Sequence, residues 1–477
     1  MNEIWQDWLH ARQDVTLVFG LALAILTTIH VLMNKREVAS SVGWIGLVWF
    51  APILGAVLYL MFGINRVRRR ARRPEGPAVP LAADGVGQEA TEPGFAMLIR
   101  SVADITGRPL THGNLVRMFQ DGDAAYPPML AAIEAARRSI GMCSYIFRDD
   151  LWGGRFIDAA AAAAKRGVEV RVLIDGIGGG WVGSPAYRRL TRLGVPAARF
   201  MHSLLPWRMP FVNLRTHRKV LVIDGAVGFT GGMNIADENV RATHPRHPVR
   251  DLHFRLAGPV VGQLVEAFLD DWTFATGEMV ALEPWLPGPE AAGTGAMGVP
   301  ARVIDSGPDE DIEKIEFSIL QAVTCARRSI AIMTPYFLPD ERLVTALSLA
   351  SMRGVAVDVT MPARSNHRLV DWGARANVGP LLEAGVRIWQ SPPPFHHAKT
   401  MVVDDAWCLI GSCNWDIRSF RLNFELCVEL YDPDLAQELL ATMAQNRGPA
   451  LTATGLAVRM PVEKLRDAGA RLMLPYL

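Results

Sequence analysis

The sequence predicts an α/β protein in which two tandem α/β domains follow a pair of membrane-spanning helices. Three observations predict this. A motif of fixed spacing occurs twice, as His217-Arg-Lys219, Asp224, Gly231-Gly232-Met-Asn234 and as His397-Ala-Lys399, Asp404, Gly411-Ser412-Cys-Asn414, with every matched position 180 residues apart. Strand–helix–strand patterns recur around both copies. Two long uncharged runs stand at the N-terminus.

Val15–Met33 is a run without a formal charge, and Val42–Ile64 is a second. Each matches the roughly 20 apolar residues that a helix needs to cross a bilayer. Residues 1–65 therefore read as a transmembrane hairpin with spans at about 15–33 and 42–64, with Trp44, Trp49 and Tyr59 towards the interfaces. A cleaved leader is disfavoured, because Glu3, Asp7 and Asp14 outnumber Arg12 ahead of the first run. Arg66, Arg68, Arg69, Arg70, Arg72 and Arg73 follow the second run, against Lys35 and Arg36 in the loop. The bias of basic residues places the remainder of the chain on the cytoplasmic side and lets the cluster meet anionic headgroups.

Charge is uneven. Residues 1–73 carry +5, so the rest of a chain of net charge +1 carries −4. A protein that tracks nucleic-acid phosphates shows a basic body, so no nucleic-acid partner is expected. The five cysteines show neither a disulfide framework nor metal-ligand spacing; Cys408 and Cys427 fall in apolar runs and read as core.

Residues 66–95, basic and then rich in Pro, Gly and Ala, read as a linker. The repeated halves occupy 96–280 and 301–447, joined by a second linker, 281–300. Ala136-Arg-Arg-Ser-Ile140 returns as Ala326-Arg-Arg-Ser-Ile330, each leading into an apolar strand. Arg166-Gly-Val168 returns as Arg353-Gly-Val355, each followed by alternating β-branched residues. Between these strands lie the helices Arg155–Lys165 and Glu341–Met352, which makes each unit a parallel strand–helix–strand pair. His and Lys of each motif open a further strand, where positions i and i+2 share a face and can converge on one phosphate. Residues 448–477 form a tail with a short amphipathic stretch that could lie on a bilayer.

The doubled His-x-Lys, Asp, Gly-x-x-Asn pattern resembles the phospholipase D superfamily. Phe50-Ala-Pro-Ile-Leu-Gly, Gly228-Phe-Thr-Gly-Gly-Met-Asn234, Gly307-Pro-Asp309, Thr334-Pro-Tyr-Phe337 and Asn414-Trp-Asp-Ile-Arg-Ser-Phe420 resemble bacterial cardiolipin synthases within it. The resemblance implies two phospholipase-D-like α/β domains related by pseudo-two-fold symmetry, with one active site built from both motifs. His217, Lys219, Asp224, His397, Lys399 and Asp404 are then the catalytic set. His217 is the nucleophile that forms a phosphohistidine, and His397 the acid and base, with exchange of the two roles left open. Lys219, Asn234, Lys399 and Asn414 would bind the phosphate oxygens. Such chemistry needs the two imidazole pKa values pushed apart. Asp224 and Asp404 end their strands and read as fixing the motif loop. Gly232 stands where relatives often carry Ser. Relatives also place an acidic residue about thirty positions after each motif His to orient it, which implies Asp251 and Glu425. His202, His253 and His396 read as structural. Neither a metal nor a cofactor is expected.

The reaction implied is transfer of a phosphatidyl group between two phosphatidylglycerol molecules, giving cardiolipin and glycerol at the bacterial inner membrane. Hydrolysis to phosphatidic acid, or transfer to another alcohol such as phosphatidylethanolamine, uses the same residues. Oligomeric state is not written in the sequence.

Overall fold

The computed structural model describes residues 2–35, 38–63, 94–202, 214–288, 298–308 and 311–472. The arginine cluster 66–73, most of the first linker, residues 289–297 of the second and the last five residues lie outside them. The described residues fall into two compact units, the N-terminal helices and an α/β body.

In the N-terminal unit, Asn2–Asn34 is one helix. Its stretch Arg12–Asn34, of 23 residues, is long and apolar enough to cross a membrane, at about 1.5 Å per residue. Leu17, Leu26, Leu32 and Met33 are exposed, as a lipid-facing surface requires. The second run does not form the continuous span expected over 42–64. It is a helix Val38–Phe50 of 13 residues, a break at Ala51, a helix Pro52–Leu58 of 7 residues and a π-helical turn Tyr59–Gly63. Pro52 is the cause: it brings no N–H, and its ring drives Ala51 out of the helical region (φ −137°, ψ 79°). The chain doubles back so tightly that a Cβ on Gly55 would lie 2.8 Å from the Val48 Cα. The aromatic residues expected at interfaces make contacts inside this unit. Tyr59 Oη meets His30 Nδ1 at 2.8 Å and packs edge-on to Trp44, and Trp49 Nε1 donates to Thr28 Oγ1 at 3.1 Å.

The α/β body is organised on one sheet of sixteen strands. At its centre Thr111–Gln120 runs antiparallel to Val299–Ser306. Outward from Thr111–Gln120 lie Leu252–Ala257, Val227–Gly231, Val220–Ile223, Ser139–Ser144, Glu169–Asp175 and Ala197–Phe200. Outward from Val299–Ser306 lie Asn423–Tyr431, Trp407–Gly411, Thr400–Val403, Ser329–Met333, Ala356–Pro362, Arg387–Ser391 and Ala450–Leu451. Strand sense matches on both sides: antiparallel out to Ser139–Ser144 or Ser329–Met333, and parallel beyond, until the antiparallel edge strand Ala450–Leu451. The expected strand–helix–strand units are Ser139–Ser144, Leu151–Lys165, Glu169–Asp175 and Ser329–Met333, Glu341–Met352, Ala356–Pro362. Asp150 and Asp340 cap the two helices by accepting the N–H of Gly153 and Leu343. Gly167 and Gly354, at φ +90° and +91°, end them in the left-handed conformation, which is why Arg-Gly-Val recurs.

Each side of the sheet buries its own apolar cluster, one around Ile140, Val172 and Phe229, the other around Ile330, Val359 and Trp407. Helix Ala96–Thr106, although it falls within the expected first half, 96–280, packs Leu98 and Val102 into the second cluster. Trp285, inside the expected linker 281–300, is buried and stacked on Phe268. In the tail, helix Pro461–Leu472 docks on Arg368–Asn377 through the buried Asp467, which pairs with Arg375 and Arg459. It leaves Val462, Leu465 and Leu472 exposed.

Candidate active site

Short cross-pairings bring the two motifs together. Arg215–Thr216 pairs in parallel with the start of Asn423–Tyr431, and Phe395–His396 with Val249–Arg250. The backbone N–H of His217 donates to Phe424 O at 2.8 Å, and that of His397 to Arg250 O at 2.7 Å. Each motif histidine is thus pinned to the opposite half of the body. The two imidazoles lie 6.4 Å apart between ring centres, at 80°. Both line a cavity of about 420 Å³ with Asn234, Asn414, Tyr145 and Tyr336.

The carboxylates Asp251 and Glu425, expected to orient the imidazoles, each lie against one, but crosswise. Glu425, which follows His397 in sequence, lies 3.0 Å from His217 Nδ1; Asp251, which follows His217, lies 2.8 Å from His397 Nδ1. The Ser412 carbonyl lies 3.0 Å from the same His217 nitrogen. Both neighbours of that nitrogen are acceptors, so the proton sits on Nδ1 and Nε2 keeps a lone pair. Around His397 Nδ1 the neighbours differ: Asp251 Oδ2, at 2.8 Å, is an acceptor and Lys399 Nζ, at 2.7 Å, is a donor, so either tautomer finds one partner there.

The Gly232–Ser412 difference has a steric cause. In the second half, Ser412 Oγ accepts the Leu426 N–H at 3.0 Å and donates to Glu425 at 2.5 Å. In the first half, the Leu252 N–H reaches Asp251 Oδ1 directly at 2.8 Å. A Cβ on Gly232 would lie 2.3 Å from that oxygen. Glycine with the shorter Asp, and Ser with the longer Glu, are two solutions to one packing problem.

Lys219 and Lys399 are buried, and each folds its Nζ back on the carbonyl of its motif histidine. Asn234 spends its oxygen on the Ile146 N–H at 3.1 Å and offers only donors to the cavity; Asn414 Oδ1 is buried without a partner among the described residues. Arg218, between His217 and Lys219, faces the other side of the strand. It is buried against Asp271 at 3.0 Å and Asp305 at 3.3 Å.

Asp224 and Asp404, which the motif assigns to the catalytic set, do not line the cavity. Asp224 accepts the N–H groups of Arg137, Arg138 and Ser139, and Asp404 those of Arg327, Arg328 and Ser329. They lock the far end of the motif strand to the repeated Ala-Arg-Arg-Ser-Ile segment. His202, His253 and His396 do not line the cavity either.

Burial is the leading electrostatic effect. It lowers His217 to about 4, against the opposing pull of Glu425. His397 falls to about 3, with Lys399 adding to burial. The expected separation of the two imidazoles is therefore absent from the free site; both are neutral at pH 7. Burial also lowers Lys219 to about 8 and Lys399 to about 7. Burial alone would raise Asp251, but Lys399 and His397 outweigh it and hold the carboxyl at about 2; Glu425 is lowered in the same way by His217. The site is built to receive negative charge between two imidazoles and two ammoniums.

Sequence reasoning missed the aromatic walls. Tyr145 packs edge-on to His217 at 5.1 Å, and Tyr336 to His397 at 6.3 Å. The signal was present: a tyrosine follows the apolar strand in both repeats. Arg215, Arg418, Asn366 and His367 also line the cavity and were not singled out. Among the described residues, no three His, Cys, Asp or Glu side chains converge as a metal-binding set.

Comparison with known proteins places relatives beside this geometry. The family described as "Cardiolipin synthase, PLD-like domain" matches residues 129–245 and 319–446, and "Phospholipase_D-nuclease N-terminal" matches 22–63. The cardiolipin synthase A of Pseudomonas aeruginosa is 33% identical over 97% of this chain and 96% of its own. The major cardiolipin synthase of Bacillus subtilis is 32% identical over 90% of this chain and 91% of its own. Among solved structures, a phosphatidylserine synthase from Haemophilus influenzae shares the fold at a TM-score of 0.61 and 14% identity, over 80% of this chain and all of its own.

Proposed function

The chain belongs to the bacterial cardiolipin synthases of the phospholipase D superfamily, and on that premise we propose that it moves a phosphatidyl group from one phosphatidylglycerol to the terminal hydroxyl of another. The products are cardiolipin and glycerol. In the first step His217 Nε2 attacks phosphorus, the P–O bond to the headgroup glycerol breaks, and His397 gives that oxygen a proton. In the second step the acceptor hydroxyl gives its proton to His397 and attacks, and the P–N bond breaks. The two acceptors around His217 Nδ1 support it as the nucleophile. The mixed surroundings of His397 Nδ1 support it as the proton carrier. An anionic phosphodiester entering the cleft raises both imidazole pKa values, and the first step needs only one of them protonated. Lys219, Lys399, Asn234 and Asn414 neutralise the non-bridging oxygens as charge develops. Asp251 and Glu425 hold the rings, and Asp224 and Asp404 hold the strands that carry them.

The same reading takes 96–280 and 301–447 as two phospholipase-D-like halves related by a pseudo-two-fold axis. The matching strand order on either side of the central pair supports this. It takes residues 1–65 as a membrane hairpin whose second arm is the broken segment Val38–Gly63, with the catalytic body on the cytoplasmic face. The apolar helix Arg12–Asn34 and the arginines of 66–73 support this. Phosphatidylglycerol and cardiolipin are the partners, not nucleic acid.

The observation that carries the reading is the pair of imidazoles 6.4 Å apart, each held by a carboxylate from the other motif's half. The test is product analysis with phosphatidylglycerol labelled in its acyl chains, in vesicles with the purified full-length protein. Labelled cardiolipin with equimolar glycerol is expected. Phosphatidic acid without cardiolipin would overturn the proposal.

A further inference from the structure

The cleft is built from matched motifs, yet its two sides differ in charge. Two positions before His217 stands Arg215; two positions before His397 stands Phe395. Four positions after Asn414 stands Arg418; four after Asn234 stands Glu238, which pairs with Arg148 at 3.1 Å. One side of the pseudo-symmetric site thus carries two guanidiniums, and the matching positions on the other carry a phenyl ring and a committed carboxylate. Arg215 and Arg418 both line the catalytic cavity. They feel each other: the Arg215 guanidinium is pushed below its ordinary range by burial and further by Arg418, although Asp175 and Tyr145 pull the other way.

Two carboxylates near this pair also hold backbone groups. Asp175 accepts the N–H groups of Ile177, Gly178 and Thr216 at 2.7 to 2.9 Å. Asp416 caps its helix by accepting the Ser419 N–H at 2.7 Å. A neutral acceptor completes the wall. Asn423, the strand partner of Arg215, gives its Nδ2 to Glu425 at 3.1 Å, and its Oδ1 is buried without a partner among the described residues. Two guanidiniums and a bare acceptor oxygen on one wall match an anion that carries a hydroxyl.

The transfer reaction supplies such a group. The donor phosphate engages the two lysines and the motif asparagines. The acceptor brings a second phosphodiester, separated by one glycerol unit from the hydroxyl that attacks. We propose that Arg215 and Arg418, with Asn423, form a second phosphate subsite that holds the acceptor lipid by its own phosphodiester. This subsite selects an anionic lipid alcohol over water and free glycerol. The inference rests on the transfer reading given above.

A partition experiment tests it. The phosphatidyl-enzyme formed from phosphatidylglycerol can be taken by a second phosphatidylglycerol, giving cardiolipin, or by added radiolabelled glycerol, giving labelled phosphatidylglycerol. Both products come from one intermediate, so their ratio reports acceptor choice alone, and any unfolded fraction cancels. Wild type, Arg215→Gln, Arg418→Gln and Arg418→Lys are compared in vesicles of phosphatidylglycerol and phosphatidylcholine. Each Gln variant is expected to lower the cardiolipin-to-exchange ratio about ten-fold or more, the scale of one lost charge-assisted contact. Arg418→Lys, which keeps the charge, is expected to recover part of it. A ratio unchanged while both products fall together would assign the arginines to the donor phosphate and overturn the proposal. Unchanged rates throughout would overturn it as well. Wild-type protein that makes labelled phosphatidylglycerol but never cardiolipin would remove the transfer reading itself, a result distinct from failure of the subsite.

Discussion

Replacing Gly232 by Ser or Ala tests whether the orienting carboxylate controls His397. The new Cβ would lie 2.3 Å from Asp251 Oδ1, 2.8 Å from Oδ2 and 2.9 Å from Cγ, all inside contact distance. The backbone at Gly232 is not left-handed, so the cost is steric and falls on the carboxylate. Asp251 then leaves His397 Nδ1, where it now sits at 2.8 Å, and the Leu252 N–H, also at 2.8 Å. Loss of one hydrogen bond to a charged group is worth about 1.5–3 kcal/mol, or roughly 10- to 150-fold in rate. The initial rate of cardiolipin formation at saturating phosphatidylglycerol should fall by that factor, with a thermal unfolding curve confirming that the body still folds. The double variant Gly232→Ser, Asp251→Glu rebuilds the arrangement that Ser412 and Glu425 use in the other half, and it should recover much of the loss. A Gly232→Ala enzyme within three-fold of wild type, or a double variant no better than the single, would refute the reasoning.

Three further outcomes follow from burial and charge. Arg218→Ala strips two buried carboxylates, Asp271 and Asp305, of a cation and should destabilise the body by about 3–5 kcal/mol; a urea unfolding shift worth less than 1 kcal/mol would contradict the buried network. His217, His253, His396 and His397 sit at about 4, 4, 3 and 3 when folded, below 6.5 when unfolded, so the unfolded chain takes protons first as pH falls. Stability is then whole above pH 6.5 and lost towards pH 3, and a Tm that stays flat between pH 7 and 4 would show these rings are not buried neutral. Lys399 and Lys219 must keep their charge to bind phosphate, so kcat/KM should decline above about pH 7 to 8; a profile flat to pH 9 would contradict the lowered ammoniums.

The repeated motif was legible because His, Lys and Asn occupy fixed offsets on a strand and its turn, where period and chemistry coincide. The Arg-Gly-Val turns were legible for the same local reason. The crossing of Asp251 and Glu425 was not, since it depends on which short strands pair across the body, Thr216 with Phe424 and His396 with Arg250. Apolar length alone overstated the second membrane run. Hydropathy counts side chains, whereas Pro52 acts through a missing N–H. The depressed pKa of both imidazoles was also invisible, because its leading cause, burial, arises only when the two halves close on each other. Helix Ala96–Thr106 illustrates the limit of boundaries read from sequence: its apolar face fits the core of the half it does not adjoin in the chain.

Rapid chemical quench with phosphatidylglycerol labelled in its phosphate, followed by peptide mapping, tests the central claim most directly. Label bound to nitrogen should appear on the peptide that holds His217, and it should vanish in His217→Ala. Label found only on the peptide that holds His397, or turnover with no protein-bound label at any time, would contradict the account.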